Sequence, residues 1–385
     1  MDKYETTPGV LNIAETCAAS ISIDDLQELC EDKNAPGPFS TSQKLTYGPI
    51  RGSDAIRDRL SGLYSAKTAS PLPIDNILIT PGAIAANFLL FYTLIGPKDH
   101  VICVYPTYQQ LYSVPESLGA EVSLWKLQKE NKYIPDLEEL KTLVKANTKM
   151  IIINNPNNPT GCSIPKSVLR GLIDFAKEKD IIVFSDEVYR PLFHGISPID
   201  SEYPPSLISM GYSKTIVTGS MSKAYSLAGI RIGWIASRDR SIIEALASAR
   251  DYTTISVSQI DDQIASYALS HNVLHGLLVR NIQLAKTNLA LVEAFIKDNS
   301  SVCSWVKPTA GTTAFIKFEK DGKPIDDVAF AIDVLEKTKV MFLPGSKCFG
   351  HGKDFKGFIR LGYVCETEVL KEGLEKLSSY VKSNI

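Results

Sequence analysis

Met150-Ile151-Ile152-Ile153, the loop Asn154-Asn155-Pro156-Asn157-Asn158-Pro159-Thr160-Gly161, and the later run Ile181-Ile182-Val183-Phe184 decide the fold. Both apolar runs are short, rich in β-branched residues and bounded by turn formers, which predicts strands buried on both faces. Between them Pro165 opens a stretch that sets Val168, Leu169, Leu172, Ile173 and Ala176 on one side at helical spacing. Proline is tolerated in a helix's first turn because its missing N–H would have had no partner there. A strand, a helix and a strand in this order make a crossover between parallel neighbours.

The same alternation runs outward in both directions. Ile77–Thr80 ends at Pro81-Gly82 and leads into an apolar helical stretch reaching Ile95. Val101–Val104 is the next strand, 108–118 its helix, and Glu121–Leu127 a half-exposed strand. Residues 136–146 place Leu137, Leu140, Leu143 and Val144 on one helical face. Thr215–Thr218 and Ile230–Ala236 complete the set. This is the pattern of an α/β fold whose mostly parallel central sheet is covered on both sides. After Asp251 a long helix from about His275 to Lys297 precedes strands at Val302–Val306, Thr312–Phe318, Val340–Leu343 and Phe358–Val364. Helices are expected near 325–335 and 366–381. The division expected is a large domain over 45–270, and a smaller α/β domain over 271–385 joined by the N-terminal segment 1–44. Ala35-Pro36-Gly37-Pro38 places that segment outside the main sheet.

Composition narrows the function classes. In 385 residues, 44% hydrophobic and 22% charged, a formal net charge of −2 leaves no basic field for nucleic acid or an anionic membrane surface. The apolar content also excludes a disordered chain. The longest apolar stretch, Ala83–Ile95, is interrupted by Asn87 and falls short of a bilayer span. Met1-Asp2-Lys3-Tyr4-Glu5 lacks the basic end and apolar core of a signal peptide. Seven cysteines, with no C-x-x-C pair, fit reduced thiols and a cytoplasmic setting.

In doubly covered sheets ligands sit beyond the carboxyl ends of the strands, so the chemistry is sought there. One strand runs into Thr218-Gly219-Ser220-Met221-Ser222-Lys223, with Arg231 shortly after. A lysine among hydroxyls with a nearby arginine suits covalent carbonyl chemistry beside a phosphate. A surface lysine in a turn is the plain alternative. Ser185-Asp186-Glu187-Val188-Tyr189 ends a second strand with an acid able to face a ligand and a phenol close behind. A capping aspartate with a packing tyrosine explains it equally well. Asn158 sits in a loop whose path is fixed by prolines and Gly161, either as a rigid hydrogen-bonding group or within an ordinary turn.

In combination, N-P-N-N-P-T-G (155–161), S-D-E-V-Y (185–189), S-M-S-K (220–223) with A-G-I-R-I-G-W (228–234), and F-I-R-L-G (358–362) resemble the class I/II aminotransferase family. These are fold-type I enzymes that use pyridoxal 5′-phosphate (PLP). The order and spacing match over essentially the whole chain. The resemblance implies that Lys223 is the Schiff-base lysine and later moves the proton at the substrate α-carbon. It implies that Asp186 pairs with the pyridine nitrogen, and that Tyr189 and Asn158 hydrogen-bond the ring oxygen O3′. Ser220, Ser222 and Arg231 become phosphate ligands, completed by amides of Gly82-Ala83-Ile84 at a helix start. Tyr108 matches the stacking aromatic, and Arg360 the guanidinium that clamps the substrate carboxylate. Tyr47 matches a tyrosine that reaches the neighbouring subunit's phosphate, which implies a homodimer with shared sites.

Ile84 offers only its backbone amide where relatives often carry a polar side chain. Leu11-Asn12-Ile13-Ala14-Glu15 is similar to the L-A-E-N segment of 1-aminocyclopropane-1-carboxylate synthases, which makes Glu15 a candidate substrate contact. The resemblance implies transfer of an amino group from an L-amino acid to a 2-oxo acid, with lyase or cyclase chemistry on the same cofactor as the alternative. Gly345-Ser346-Lys347-Cys348-Phe349-Gly350 has P-loop glycine spacing, but His351 stands where the lysine belongs. His271 and His275 have metal-ligand spacing without a third ligand, so no metal is expected. A DNA-binding regulator built on this fold would need a helix-turn-helix and a basic segment, and neither is visible.

Overall fold

The computed structural model describes Tyr4, residues 7–66, Thr68 and residues 70–385. Of the Met1–Glu5 stretch, all but Tyr4 lies outside the described residues. Seven strands form the central sheet: β1 (Ile77–Thr80), β2 (His100–Tyr105), β3 (Glu121–Lys126), β4 (Thr148–Asn154), β5 (Ile182–Asp186), β6 (Thr215–Ser220) and β7 (Gly233–Ser237), in spatial order β1-β7-β6-β5-β4-β2-β3. All pairings are parallel except those of β7, which runs antiparallel to both β1 and β6.

The apolar runs are strands because both faces of the sheet are covered. Along β4, Ile151 and Ile153 enter one buried cluster while Met150 and Ile152 enter another. Val183 and Phe184 of β5 divide in the same way. Helix Lys166–Glu178 covers one face with Leu169, Leu172, Ile173 and Ala176. Helix Ala83–Leu94 covers the other with Ala86, Leu89, Leu90 and Phe91. Each such large apolar side chain stabilises the fold by roughly 1.5–3 kcal/mol relative to exposure.

A second sheet is antiparallel: Thr313–Lys320 pairs with Phe358–Gly362 and with Cys303–Trp305, and Phe358–Gly362 also pairs with Leu343–Pro344. Helix His271–Asp298 joins the two sheets. Its start buries Val273 and Leu277 in the central cluster, and its end buries Val292, Phe295 and Ile296 against the second sheet. The N-terminal segment docks on that sheet's domain. Leu11 and Asn12 pair with Val340 and Met341, and Gly362 N–H donates to Ile13 O at 2.8 Å.

Several boundaries differ from expectation. The helix expected over 136–146 spans Leu137–Leu143, because Val144 takes an extended ψ of 134° and leads the chain out. The strand expected at 340–343 is two short pieces, Val340–Met341 and Leu343–Pro344, in different sheets. The long helix already starts at His271, after an extended Ser270. His271 and His275 are both exposed on it, and no metal-binding group of His, Cys, Asp or Glu occurs among the described residues. No helix among the described residues is long and apolar enough to cross a membrane.

Candidate active site

A cavity of about 700 Å³ opens at the carboxyl ends of the central strands. Its lining brings together Ala83, Ile84, Tyr108, Asn158, Asp186, Tyr189, Ser220, Ser222, Lys223, Arg231, Arg360 and Glu15. These come from chain segments that sequence separates widely, and the sheet's topology is what collects them.

Lys223 lies just beyond β6. Its Nζ donates to Thr16 Oγ1 at 2.7 Å and to Cys17 Sγ at 3.4 Å, and stands 3.7 Å from Glu15 Oε1. Burial by itself lowers the ammonium's pKa, but Tyr189, Cys17 and Glu15 outweigh it and the net direction is up. Burial holds the Cys17 thiol up at about 11, so around neutral pH Glu15 is the charged member of that group. Glu15 is fixed by two backbone donors, Thr16 N–H at 2.6 Å and Cys17 N–H at 3.0 Å. Burial opposes its ionisation, yet Lys223 and these donors bring its pKa below the usual range.

Asp186 is the last residue of β5 and is buried. Loss of solvent pushes its pKa up to about 6, against two donors that favour the charged form. These are Val188 N–H on Oδ1 and Asn87 Nδ2 on Oδ2, each at 3.1 Å. Tyr189 is buried too, its phenol raised by burial with Lys223 and Arg360 pulling the other way. Asn158 is held by its N–H on Asn154 Oδ1 at 2.7 Å, and its own Oδ1 accepts from Arg360 Nη1 at 3.3 Å.

Hydroxyls and a guanidinium cluster beside the helix that begins at Ala83. Ser220 Oγ donates to Ser222 Oγ at 2.9 Å, and Arg231 Nη1 reaches Ser222 Oγ at 3.3 Å. Gly82 caps that helix with φ +81°, and a Cβ there would lie 2.4 Å from Arg231 Nη2. The glycine is required twice over, by its left-handed backbone and by the guanidinium against it. Arg360, on the second sheet, is buried. Its Nη2 donates to Ala14 O at 2.7 Å, and its Nε has no hydrogen-bond partner. Burial lowers its pKa. Tyr108 and Ile84 line the cavity and are exposed, while Tyr47 is 77% exposed and is not part of the lining.

The aminotransferase class I and II family model matches residues 26–377. The chain belongs to that family. An aspartate aminotransferase of Thermotoga maritima is 27% identical over 346 residues, covering 90% of this chain and 86% of the relative. A capreomycidine synthase of Streptomyces vinaceus is 26% identical over 331 residues, covering 86% and 79%. Among solved structures, a PLP-dependent aminotransferase from Streptococcus suis superposes with a TM-score of 0.84 at 37% identity, covering 97% of this chain and 93% of the other.

This aminotransferase-family chain is a PLP-dependent enzyme, and its cavity suits that cofactor chemically. A phosphate calls for donors and positive charge, which the helix start at Ala83, Ser220, Ser222 and Arg231 offer. A protonated pyridine nitrogen calls for a buried carboxylate, which Asp186 offers. Motifs did not announce Thr16, Cys17, Asn87, Lys347, Cys348 and Phe349, which also line the cavity. Asn87 had one signal: it is the polar interruption in the apolar stretch 83–95, and it proves buried. Lys347, Cys348 and Phe349 lie in the Gly345–Gly350 run whose glycine spacing drew notice without pointing to this cavity, and Thr16 and Cys17 directly follow the Leu11–Glu15 segment.

Proposed function

We infer that this enzyme is an aminotransferase that moves the amino group of an L-amino acid to a 2-oxo acid. The observation that carries this reading is the meeting of Lys223, Asp186 and a buried Arg360 with an unpartnered Nε in one cavity. When bound, PLP supplies an electron sink for the substrate's α-carbon. Lys223 Nζ would hold the cofactor through its aldehyde carbon and would take and return the proton at the substrate α-carbon. Asp186 would hold the proton on the ring nitrogen. Tyr189 and Asn158 would hydrogen-bond O3′, and Tyr108 would cover the ring. The amides of Gly82, Ala83 and Ile84, with Ser220, Ser222 and Arg231, would hold the phosphate. Arg360 turns its free Nε and its Nη groups to the substrate carboxylate and sets the angle of the Cα–H bond.

Tyr47 completes the phosphate site of a second copy, which makes the enzyme a homodimer with shared sites. Its exposure supports this, as do the exposed Phe88 and Tyr92 on the helix that starts at the cavity. Sedimentation of a fully active monomer would overturn the shared site. The large PLP-binding domain spans 45–270, and 271–385 with 1–44 forms the small one. Seven free cysteines support a cytoplasmic setting.

A second reading, elimination, replacement or cyclisation at the β- or γ-carbon, is favoured by Glu15 beside Lys223 and by the likeness to a capreomycidine synthase. A panel of amino acids, each paired with a 2-oxo acid, separates the two. Transamination gives a new 2-oxo acid and an equal amount of new amino acid. A product without amino transfer to the acceptor would sink the first reading.

A further inference from the structure

Asn87 stands on the helix that opens at the cavity, and its side-chain amide has a single consistent orientation. Thr218 Oγ1 donates to Asn87 Oδ1 at 2.9 Å. The amide nitrogen must then face the other way, where it donates to Asp186 Oδ2 at 3.1 Å and to Gln110 Oε1 at 3.2 Å. Gln110 is itself oriented, because its Nε2 donates to Ile84 O at 2.7 Å. A flipped Asn87 would turn its carbonyl oxygen onto the Asp186 carboxylate and onto Gln110 Oε1, neither of which can donate. Asn87 and Thr218 are both buried, so water offers neither an alternative partner.

We propose, resting on Asp186 as the partner of the cofactor's ring nitrogen, that Asn87 is a positioning residue whose amide, locked by Thr218 and Gln110, keeps the Asp186 carboxylate charged and in one orientation. Two donors oppose the burial that would neutralise Asp186, and one of them, Val188 N–H, is backbone. Asn87 is the side chain that can be exchanged. The titratable groups acting on Asp186 are Glu187, with like charge, and Lys223, with opposite charge; the Tyr108 phenol in turn feels the Asp186 carboxylate. All three stay in place when Asn87 or Thr218 is changed.

The probe is pyridoxine 5′-phosphate, which keeps the ring nitrogen and phosphate but has no aldehyde for Lys223 to attack. Its Kd is measured by fluorescence quenching across roughly pH 5 to 8 for the intact chain and for Asn87→Ala, Thr218→Val and Thr218→Ser. Protonating Asp186 removes the partner of the ring nitrogen, so wild-type affinity falls as the pH drops past about 6. A lost hydrogen bond to a carboxylate raises its pKa, so in Asn87→Ala the fall begins about one pH unit higher. Thr218→Val moves it the same way by less, and Thr218→Ser, which keeps the hydroxyl, leaves it in place. If Asn87→Ala does not fold, the Thr218 pair carries the test alone. An unmoved profile, or a weakening equal at every pH, overturns the proposal and leaves Asn87 a packing residue. A wild-type chain that does not bind the probe overturns the cofactor's placement at Asp186 and the proposal with it.

Discussion

In the half of the cavity built by strand ends, each group sits on or just after a central strand, and the sheet with the helix packed on it does the holding, as Asn87 does for Asp186. Asp186 ends β5, Ser220 ends β6, and Ser222 and Lys223 follow within the same turn. In the other half the holding contacts span most of the chain. Arg360 donates to Ala14 O, Thr312 Oγ1 to Thr16 O at 2.7 Å, and Gly362 N–H to Ile13 O. The first half is a product of the parallel sheet and exists once the strands pair. The second exists only when the N-terminal segment lies on the second sheet, so small displacements there move Arg360 and Glu15 and spare Asp186, Ser220 and Ser222.

Lys223 belongs to both halves, since its backbone follows β6 and its amine touches Thr16 and Cys17. Lys223→Ala should therefore have the largest effect, on the order of 10⁴-fold or more in turnover, as expected for loss of nucleophile and proton carrier together. PLP should still bind to it without a covalent link, because the ring and phosphate contacts remain. Borohydride reduction and peptide mapping check this: the pyridoxyl group should appear on Lys223 in the wild type and nowhere in the variant.

Arg360→Lys strikes the second half and touches the first through one contact, Asn158. It keeps the charge and loses the planar fork, costing about 2–4 kcal/mol of transition-state binding, roughly 30- to 1,000-fold in kcat/KM. The absorbance of the bound cofactor should not change. An efficiency within about threefold of wild type would reduce Arg360 to a structural ion-pairing residue.

A pair of glycines contrasts the halves directly. A Cβ on Gly362 would lie 1.7 Å from Glu15 O, so Gly362→Ala pushes the N-terminal segment off the second sheet. Gly82→Ala instead drives a methyl toward Arg231 at a backbone φ of +81°. The first should raise KM and lower kcat/KM by about 10²-fold, the effect of an ångström-scale misplacement, with PLP affinity intact. The second should weaken PLP binding by a similar factor, and excess cofactor should restore its activity. Identical responses of the two variants to added PLP would show that the halves are not independent.

The same division explains what the sequence made legible. Asp186, Ser220, Lys223 and Gly82 were accessible because a strand-end residue in a parallel sheet faces the ligand wherever the strand is correctly read. Arg360 and Glu15 came through resemblance to a family, not through local pattern. Thr16, Cys17, Lys347 and Cys348 adjoin or lie in stretches that were singled out, yet nothing local placed them at the cavity, because the contact that brings them there pairs the two ends of the chain. The helices Asp54–Ser65, Arg240–Arg250 and Gln259–Ala268 were missed for a different reason. Their apolar residues do recur at helical spacing, since Ile56, Leu60 and Tyr64, then Ile242, Ile243 and Leu246, then Ile264, Ala265 and Ala268 are all buried, but the polar and charged residues between them break the run.

The smallest effect expected lies at the seam where the halves meet. His194, a few residues beyond Tyr189, places Nε2 2.7 Å from the Tyr363 hydroxyl on the segment that follows Arg360. That hydroxyl is also 3.2 Å from Gly311 O, and His194 Nδ1 is buried without a partner. Burial, aided by the positive charges of Lys286 and Lys307, lowers the imidazole's pKa from 6.5 to about 4, with the nearby Gly311 backbone opposing. The unfolded chain therefore binds this proton more readily than the folded one. The stabilisation is complete above pH 6.5 and is lost as the pH falls from there to about 4, at most about 3 kcal/mol from this one group. Carboxylates also titrate in that window, so the informative quantity is the difference between wild type and His194→Gln in denaturant unfolding at each pH. The amide cannot gain a charge, and its stability curve should be flatter on the acid side. Below about pH 5 the wild type's advantage should shrink or reverse. Parallel curves for the two proteins across that range would mean that His194 is hydrated at the seam, and that the halves are joined there by packing alone.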